Sequence, residues 1–509
     1  MVYNVTSCLD NSAGAYPDKI AAADGQTALT YGQLLDQARR IGTALAGRLD
    51  GARGEPVFVC IGRWVECLPA FFGAAASGNF YVPIDPALPD RRLAEIYATM
   101  KPRVVVTTRR DTRPLPFPGA EILSLEELLL TPPDEPLLRR IGAEITGEYP
   151  LYCIFTSGST GVPKGVLVSH RSVLNMTEQF IEAFGLDHTA VFGNQAPFDF
   201  DVSVKDVYLA VRTGARLEIL EKPLFSSPRR LIERMDERGV NTIIWSVSAM
   251  KILSALKTFE TVRPSHLRRV MFSGEAMPCK VLNDWMRHLP EARFVNLYGP
   301  TEITCNCACY PVERAFEDSE ALPIGGAFPN TRVFLLDGDR EVTGPGEPGE
   351  ICVAGTCLAL GYYNNPERTA AAFCQNPLQT AWPERIYRTG DLGSWNERGE
   401  LMFLGRADSQ VKYMGFRIEL GEIETAANAV PFVSSACCLF DAGREQLCLF
   451  YQAEAQDDKG LIAALREALP RFMVPVRLYW FERLPENRTG KIDRAALRRD
   501  YIEQTIRRN

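Results

Sequence analysis

A short segment rich in glycine and hydroxyl side chains, residues 156–165, carries the most suggestive chemistry in this chain. Glycine lets backbone N–H groups come close to an anion, and serine and threonine hydroxyls add hydrogen-bond donors. A lysine near the end of the segment can supply positive charge. The segment therefore predicts a phosphate cradle built from Thr156, Ser157, Gly158, Ser159, Thr160 and Lys164.

This segment is not a Walker A loop. That motif places its lysine directly before a serine or threonine at the start of a helix. Here Lys164 is followed by Gly165 and Val166. A plain flexible turn has the same composition, so the phosphate interpretation depends on the rest of the chain.

The elements around the segment indicate how it is positioned. Apolar runs on either side predict a buried strand over Leu151–Phe155 and a returning strand over Val166–Val168. Upstream, apolar residues at helical spacing predict a helix over Tyr31–Leu49, and β-branched runs predict strands over Val57–Ile61 and Val104–Thr108. Alternating strands and helices are typical of a layered α/β fold.

The alternation continues downstream. A helix is predicted over Arg171–Phe184, and a second helix is expected to open at Asp201 or Ser203. Two stretches dense in glycine and proline, 343–349 and 360–366, predict the turns of a β-rich subdomain. The last hundred or so residues carry strand and helix signals of their own, which indicates a small α+β domain. Further short strands are predicted over Asn241–Val247, Arg269–Phe272 and Arg293–Asn296.

Length and composition exclude some classes of function. The chain has 509 residues and a net charge of -7, whereas a nucleic-acid-binding surface is expected to be basic. It has no apolar run of the ~18 residues needed to span a membrane, and its N-terminus lacks the features of a signal peptide. Most of its 14 cysteines fall in apolar runs, as buried thiols do in a reducing compartment. We therefore expect a cytoplasmic protein.

Two other chemistries receive little support. Cys305, Cys307 and Cys309 alternate, so a strand would place them on one face, where they could hint at a metal site. No nearby histidine or C-x-x-C pair completes a zinc set. None of the 4 histidines lies in a serine-hydrolase context.

Six blocks occur in the order found in the adenylate-forming superfamily: residues 156–165, 198–201, 298–302, 387–393, 405–424 and 488–491. Within it, the chain resembles the amino-acid adenylation domains of nonribosomal peptide synthetases. Through Asn194–Phe198 and Met271–Glu275 it also resembles the free-standing ligases that load D-alanine onto a carrier protein. The resemblance implies an α/β fold: a large N-terminal domain of layered α/β subdomains, one of them β-rich, and a small mobile C-terminal α+β domain.

The resemblance also implies a two-step, AMP-forming ligase reaction that uses ATP and Mg²⁺. The carboxylate of an amino acid attacks the α-phosphate of ATP, which gives an aminoacyl-adenylate and pyrophosphate. The phosphopantetheine thiol of a carrier protein then attacks the adenylate, which gives a thioester and AMP. Because two anions meet in the first step, cations and oriented donors are expected around the α-phosphate.

Three residues are implied to be catalytic, namely Lys491, Thr301 and Glu302. Lys491 would contact the substrate carboxylate and the phosphate. Glu302 would hold the magnesium ion, because this hard cation prefers carboxylate oxygen. A solvated lysine and a surface glutamate are the plain alternatives for the two charged residues.

The nucleotide-binding roles are likewise implied by the resemblance. Tyr298 would stack on adenine, and Asn296 would hydrogen-bond the edge of the base. Asp391 would accept bonds from the two ribose hydroxyls, and Arg406 would lie near the ribose or a phosphate. The remaining nucleotide-binding positions are Gly274, Glu275, Gly299, Thr301 and Lys491, together with the cradle residues that hold the pyrophosphate.

Asp408 resembles the hinge of the superfamily, which divides the chain into an N-terminal adenylation core, 1–407, and a C-terminal domain, 408–509. The family reorients its small domain between the two steps. One orientation would present Lys491, and the other would present the face near Lys412 and Gly415.

Asp201 resembles the family position that pairs with the α-amino group of the substrate. A helix-terminal carboxylate stabilised by the helix dipole is the alternative. The D-alanine ligases carry a cysteine where Ser273 stands, which leaves the identity and chirality of the amino acid open. The substrate-binding positions carried over beside Asp201 are Phe200, Val202, Lys205, Trp245, Met271, Ser273, Leu297, Cys305 and Asn306.

Lys205 allows three interpretations. It could pair with Asp201, four residues earlier on the same helix. It could meet a carboxylate of the substrate side chain, or it could bury only its stem and keep its ammonium group in water.

Two other functions remain open. An acyl- or aryl-CoA ligase of the same superfamily would have no use for an ammonium-binding Asp201. A catalytically idle binding module would have no need of Lys491, Glu302 and Asp391. No carrier-protein segment follows Lys491, so we expect a free-standing enzyme that acts on a carrier protein in trans.

Overall fold

The computed structural model describes residues 4–111, 113–157, 163–406, 410–485 and 492–503. Strands and helices are numbered separately along the chain. In these ranges no helix is long and apolar enough to cross a membrane. The helices are α1 (Thr6–Ala15), α2 (Tyr31–Arg48), α3 (Cys67–Ala76), α4 (Asp90–Met100), α5 (Leu125–Leu128), α6 (Glu135–Glu144), α7 (His170–Phe184), α8 (Val202–Thr213), α9 (Pro228–Arg238), α10 (Val247–Ala255), α11 (Cys279–His288), α12 (Pro366–Ala372), α13 (Leu420–Asn428), α14 (Asp458–Ala468) and α15 (Arg494–Leu497).

A seven-stranded mixed sheet holds the strands on either side of the glycine-rich segment. In spatial order its strands are β19 (Gly361–Tyr362), β8 (Lys164–Ser169), β7 (Pro150–Thr156), β4 (Phe80–Ile84), β3 (Pro56–Cys60), β5 (Val104–Thr107) and β6 (Glu121–Ser124). The strands β7 and β8 are antiparallel, with Thr156 opposite Lys164. The described ends of the predicted phosphate cradle, Thr156 and Lys164, therefore lie opposite each other on two paired strands.

A nine-stranded sheet forms the second layer. In spatial order its strands are β15 (Gly326–Ala327), β14 (Ala308–Pro311), β13 (Arg293–Tyr298), β12 (Arg269–Ser273), β11 (Thr242–Ser246), β9 (Val191–Asn194), β10 (Arg216–Ile219), β1 (Ile20–Ala23) and β2 (Ala28–Thr30). The central strands β11, β12 and β13 are parallel and in register, so their carboxyl ends meet at one edge. Ligands of open α/β sheets bind at such an edge.

One hydrophobic core fills the space between these two sheets, and α8 lies within it. The core contains Tyr81 and Ile154 from the seven-stranded sheet and Met271 from the nine-stranded sheet. The hydroxyl of Tyr208 on α8 donates to that of Tyr81 at 2.9 Å. Because α8 is packed between two sheets, side chains on its first turns are held in fixed positions.

The remaining sheets are smaller. A six-stranded sheet contains β17 (Arg340–Val342), β16 (Thr331–Asp337), β18 (Gly349–Gly355), β21 (Arg385–Trp395), β20 (Phe373–Gln375) and β22 (Leu401–Arg406), the last of which pairs with β21. The C-terminal part contains a hairpin, β23 (Gln410–Tyr413) and β24 (Phe416–Glu419), and a three-stranded sheet, β25 (Ser435–Asp441), β26 (Gln446–Gln452) and β27 (Arg477–Phe481). This part has a hydrophobic core of its own, which includes Ile423, Leu449 and Leu461.

The predicted elements occur with small shifts at their ends. The helix predicted from Tyr31 starts there because Thr30 and Gln33 form a capping box. The helix expected at Asp201 or Ser203 begins at Val202, and the Asp201 side chain forms no capping hydrogen bond. The strand that could have aligned the three cysteines begins only at Ala308, so Cys305 and Cys307 lie outside it.

We predict that Gly325→Ala lowers the free energy of unfolding by at least ~2 kcal/mol, because a left-handed backbone and a close contact both exclude a Cβ there. Gly325 has φ +84°, and an added Cβ would lie 2.0 Å from the Cys309 carbonyl oxygen. Gly326→Ala is the matched control, because its Cβ meets nothing within 4 Å. Urea denaturation measures the free energy of unfolding of both variants, and equal decreases in the two would contradict the prediction.

Candidate active site

The site begins where β13 ends, at the edge shared by the parallel strands. After Tyr298 the chain turns sharply at Gly299, where an added Cβ would lie 2.7 Å from both the Asn306 Cα and the Cys305 carbonyl oxygen. A 3-10 turn over Thr301–Ile303 follows and carries Thr301 and Glu302, both buried. The close backbone approach at Gly299 thus brings this turn against the pocket beside α8.

Glu302 lies at the centre of a buried charge cluster. Its Oε1 accepts hydrogen bonds from the Lys164 Nζ and the Tyr362 hydroxyl, each at 2.8 Å. Its Oε2 accepts a hydrogen bond from the Arg417 Nη1, also at 2.8 Å. Two of these partners lie on neighbouring strands of the seven-stranded sheet, β8 and β19, and the third lies on β24. Because Glu302 itself follows β13, its carboxylate joins the nine-stranded sheet to the seven-stranded sheet and to the C-terminal hairpin.

The charges in this cluster hold Glu302 ionised. Burial raises the pKa of its carboxyl, but the cations Arg417 and Lys164 outweigh that effect and hold the pKa below its usual range. Burial lowers the pKa of Lys164 to about 8, and the negative charge of Glu302 opposes this shift. A buried carboxylate with two cationic partners and a hydroxyl donor has nearly all its acceptor positions satisfied.

The residues predicted to hold the nucleoside lie close together. The Tyr298 hydroxyl donates to Asp391 Oδ2 at 2.5 Å, and Arg406 pairs with the other oxygen of the same carboxylate. Asp391 and Arg406 face each other across β21 and β22. The Asn296 amide nitrogen donates to the Pro323 carbonyl at 2.8 Å. The carboxylate of Asp391 has the acceptor oxygens that a ribose needs, and the side-chain amide of Asn296 has a donor and an acceptor that suit the edge of a base.

The C-terminal hairpin enters the site next to these residues. Lys412 Nζ lies 5.7 Å from the centre of the Tyr298 ring. The Ser157 hydroxyl donates to the Arg417 carbonyl at 2.6 Å and accepts from the Glu419 amide at 3.1 Å. The start of the predicted phosphate cradle is therefore bonded directly to β24.

Glu275 forms a second link to this hairpin. Its Oε1 accepts hydrogen bonds from the Ser248 hydroxyl at 2.7 Å and from the Gly415 amide at 2.5 Å. Gly274, which precedes it, has a left-handed backbone with φ +97°. These two residues, predicted to bind nucleotide, contact the loop of the C-terminal hairpin in this structure.

The substrate pocket predicted beside α8 contains several of the expected residues. Burial raises the pKa of Asp201, and the Thr301 hydroxyl and the Lys205 ammonium oppose that shift. The Cys305 thiol donates to the Asp201 carbonyl at 3.1 Å. Deeper along the helix, Lys205 donates to Asn306 Oδ1 at 2.7 Å. Val202 is also buried here, at the start of α8.

Trp245 does not join the predicted wall. Opposite residues on the parallel strands β11 and β12 point to the same face, and Trp245 pairs with Phe272 rather than with Met271 or Ser273. Its ring packs against Trp285 in the core on the far face of the sheet. Strand alternation therefore places Ser246, and not Trp245, on the face shared with Met271, Ser273 and Leu297.

A cavity lies between the C-terminal part and the N-terminal sheets. Phe416 and Arg417 line one side, and Thr156 and Phe200 line the other. The Phe200 and Phe416 rings lie 5.3 Å apart. The Thr156 hydroxyl oxygen is buried and has no hydrogen-bond partner among the described residues. A phosphate or another hydrogen-bonding ligand would satisfy this donor.

Five predicted site residues lie outside the described residues: Gly158, Ser159, Thr160, Asp408 and Lys491. Three site residues had no role in the sequence prediction: Ser246, Tyr362 and Arg417. Arg417 belongs to the predicted block 405–424, so that block could have suggested it. No sequence pattern indicates that Tyr362 would reach Glu302, which lies 60 residues away in the chain.

The donor chemistry of Glu302 fits magnesium. In the part of the chain that the structure describes, no group of three or more His, Cys, Asp or Glu side chains could hold a metal by itself. A magnesium ion that shares phosphate oxygens needs only one or two carboxylates. Glu302 supplies an ionised carboxylate, and a magnesium ion would have to displace Lys164 or Arg417, which bond to its oxygens in this structure.

We predict that Glu302→Gln lowers the free energy of unfolding by ~3 kcal/mol, because it leaves Lys164 and Arg417 buried without their counter-ion. Glu341→Gln is the control, since Glu341 pairs with Arg332 on the surface and such pairs contribute under ~1 kcal/mol. Chemical denaturation followed by tryptophan fluorescence measures both. If Glu302→Gln lowers the free energy of unfolding no more than Glu341→Gln does, the charge cluster does not stabilise the fold.

Comparison with known proteins places this geometry in a family. The family model described as "AMP-binding enzyme" matches residues 9–363. The chain is 36% identical over 490 residues to a linear gramicidin synthase of Brevibacillus parabrevis, covering 94% of this chain and 6% of that protein. It is 31% identical over 511 residues to the D-alanine–D-alanyl carrier protein ligase of Lacticaseibacillus rhamnosus, covering 98% of this chain and 99% of the ligase. The chain thus spans only a small part of the synthase.

Solved structures agree with the fold. Holo-PA1221 is a nonribosomal peptide synthetase protein containing adenylation and PCP domains, bound to a vinylsulfonamide inhibitor. It superposes with a TM-score of 0.84 at 27% identity, over 98% of this chain and 84% of that one. IdnL1 superposes with a TM-score of 0.80 at 28% identity over 95% of this chain and 99% of that one. The α/β fold with a large N-terminal and a C-terminal domain is thereby confirmed. The chain belongs to the family of AMP-binding enzymes.

Proposed function

We propose that this chain activates an amino acid with ATP as an aminoacyl-adenylate and transfers it to the phosphopantetheine thiol of a carrier protein. The observation that carries the proposal is the position of Lys412. Desolvation lowers the pKa of this lysine, and the charges of Asp391 and Asp201 oppose the shift. Its Nζ lies 5.7 Å from the centre of the Tyr298 ring, and the Tyr298 hydroxyl donates to Asp391, so this lysine of the C-terminal hairpin lies at the proposed nucleoside site.

In the first step, the residues bind and orient the two reactants. Asp201 binds the substrate ammonium and Asp391 binds the ribose hydroxyls. Thr156 and Lys164 donate to phosphate oxygens, and Glu302 holds Mg²⁺, which neutralises phosphate charge when bound. Positioned donors of this kind lower the barrier because the reactants are oriented before they meet.

The boundary of the moving domain is part of the proposal. We assign residues 1–407 to the adenylation core and 408–509 to the C-terminal domain, with Asp408 as the hinge. Lys491 would reach the substrate carboxylate and α-phosphate in one orientation. Lys412 and Gly415 contact the site in this structure, and we assign that face of the domain to thioester formation.

The relatives support a carrier-protein partner. The D-alanine–D-alanyl carrier protein ligases match along nearly their whole length, and holo-PA1221 contains a PCP domain. The proposed partner is a phosphopantetheinylated carrier protein supplied in trans, and the proposed compartment is the cytoplasm. Asp201 favours an amino acid over an acid without an amine, because a buried carboxylate needs a cation.

ATP–pyrophosphate exchange tests the proposed function. The enzyme is assayed with the proteinogenic amino acids, their D-enantiomers and a set of acids without an amino group. We expect exchange with an amino acid, and its loss in Asp201→Asn. Exchange or CoA-thioester formation only with acids that lack an amine would replace this function with that of an acyl-CoA ligase.

We predict that Gly415→Ala slows thioester formation ~10-fold, which corresponds to an increase of about 1.4 kcal/mol in its activation free energy. Adenylation should be nearly unchanged. Gly415 has φ +82°, and an added Cβ would lie 3.1 Å from the Ser246 Cβ in the present orientation. Gly399→Ala is the control, because φ there is +71° and its Cβ meets nothing within 4 Å. Single-turnover loading of a carrier protein and pyrophosphate exchange measure the two steps. Equal slowing of both steps would disprove the assigned role.

A further inference from the structure

Lys205 is a fully buried cation without a carboxylate in contact. It lies on α8 with a relative exposure of 0%. Its Nζ donates to Asn306 Oδ1 at 2.7 Å and to the Ser273 hydroxyl at 3.5 Å, both neutral groups. It forms no salt bridge with any carboxylate in the described ranges. Burying an ammonium group without a counter-ion is costly, so its retention in a pocket wall requires an explanation.

The two nearest acidic residues on the helix do not supply that counter-ion. Asp201 is four residues earlier, where an ion pair could form, but the two side chains are not paired. Asp206 is the next residue, and its Oδ2 accepts a hydrogen bond from the Asn194 amide at 2.9 Å. The Lys205 ammonium is instead directed to Ser273 and Asn306, both predicted pocket residues.

The side chains of Lys205, Asn306 and Ser273 form a set of hydrogen-bond donors. An ammonium group can only donate, so the atom of Asn306 that faces Lys205 must be its amide oxygen. This orientation leaves the Asn306 NH₂ group as a second donor, and the Ser273 hydroxyl can act as a third. A carboxylate is the small group that best matches one cation and two neutral donors.

The backbone holds this set in place. Thr304 and Cys305 both have left-handed backbone conformations, with φ +57° and +75°. Such angles are uncommon for a β-branched residue such as Thr304. The Thr304 hydroxyl donates to the Cys357 carbonyl at 2.8 Å. The backbone N–H of Asn306 donates to the Thr304 carbonyl at 3.0 Å. Asn306 is therefore fixed by a strained turn and not by a flexible loop.

The spacing along α8 matches an amino acid with two charged ends. Asp201 and Lys205 are one helical turn apart, which places their Cβ atoms ~5–6 Å apart. An ammonium at Asp201 and a side-chain carboxylate at Lys205 would therefore be bound by two side chains that start from the same face of the helix. Met271 and Leu297, on the same face of the sheet, supply apolar walls between these polar ends.

We propose that Lys205, Asn306 and Ser273 bind the side-chain carboxylate of the substrate, so that this chain activates an acidic amino acid. The proposal rests on the proposed amino-acid adenylation and specifies its substrate class. A site built around buried donors discriminates strongly, because a substrate without the matching group leaves those donors unpaired. Aspartate- and glutamate-like substrates should therefore exceed alanine and leucine in kcat/KM by at least ~100-fold.

The test compares the wild-type enzyme with Lys205→Met and Asn306→Asp. Pyrophosphate exchange is measured with both enantiomers of aspartate, glutamate, asparagine, glutamine, alanine and leucine. Lys205→Met removes the charge at similar side-chain length and should lower kcat/KM for the acidic substrate at least ~100-fold, with a much smaller effect on neutral ones. Asn306→Asp places a carboxylate next to Lys205 and should abolish use of the acidic substrate by repulsion.

Lys280→Met, an exposed lysine on α11, is the matched control and should behave as the wild type. Thermal melting and binding of a fluorescent ATP analogue show that each variant is folded and binds nucleotide. Wild-type exchange that favours a neutral amino acid, and is unchanged in Lys205→Met, overturns the subsite but keeps the proposed function. A wild-type enzyme that binds ATP but exchanges with no amino acid overturns both.

Discussion

The buried carboxylate of Glu302 is the interaction on which the rest of the site depends. Its partners Lys164 and Tyr362 lie on the seven-stranded sheet, and Arg417 lies on β24. Because Glu302 follows β13, one side chain connects both large sheets and the C-terminal domain. A carboxylate buried without partners would cost several kcal/mol, so all three elements must stay near it while it remains dry. Thr156, at the end of β7, lies opposite Lys164 on β8, so the pairing of these two strands holds Thr156 near the same cluster.

Several polar contacts join the C-terminal domain to the core. The Ser157 hydroxyl bonds β24, Glu275 accepts from the Gly415 amide, and Arg92 pairs with Glu422 in a buried ion pair. An apolar contact, Phe200 against Phe416, lies at the same interface. Polar interfaces of this kind separate more readily than hydrophobic ones, because each charge released can be solvated or can meet a charged ligand. The contacts are thus compatible with a domain that changes orientation during a reaction.

The sequence predicted the elements better than the contacts between them. Buried β-branched runs locate strands because burial and backbone preference act on the same few residues. The strand predicted over Val104–Thr108 is β5, which spans Val104–Thr107. The error at Trp245 has a different origin: a shift of one residue on a strand moves a side chain to the opposite face. Tyr362 and Arg417 were missed because their contacts with Glu302 join distant parts of the chain. Only the packing of the sheets brings these side chains together.

The two buried lysines of the site show why burial alone does not define a role. Lys164 has a carboxylate partner within the protein, so its charge is already balanced, and a phosphate would add a second anion to an existing pair. Among the described residues, Lys205 donates to a neutral amide oxygen and a hydroxyl and forms no salt bridge, so its charge lacks a direct partner there. Desolvation lowers the pKa of both lysines, but only at Lys205 would a bound carboxylate supply the missing direct ion pair. The difference in partners, rather than in depth, therefore separates a residue that organises the protein from one that selects a ligand.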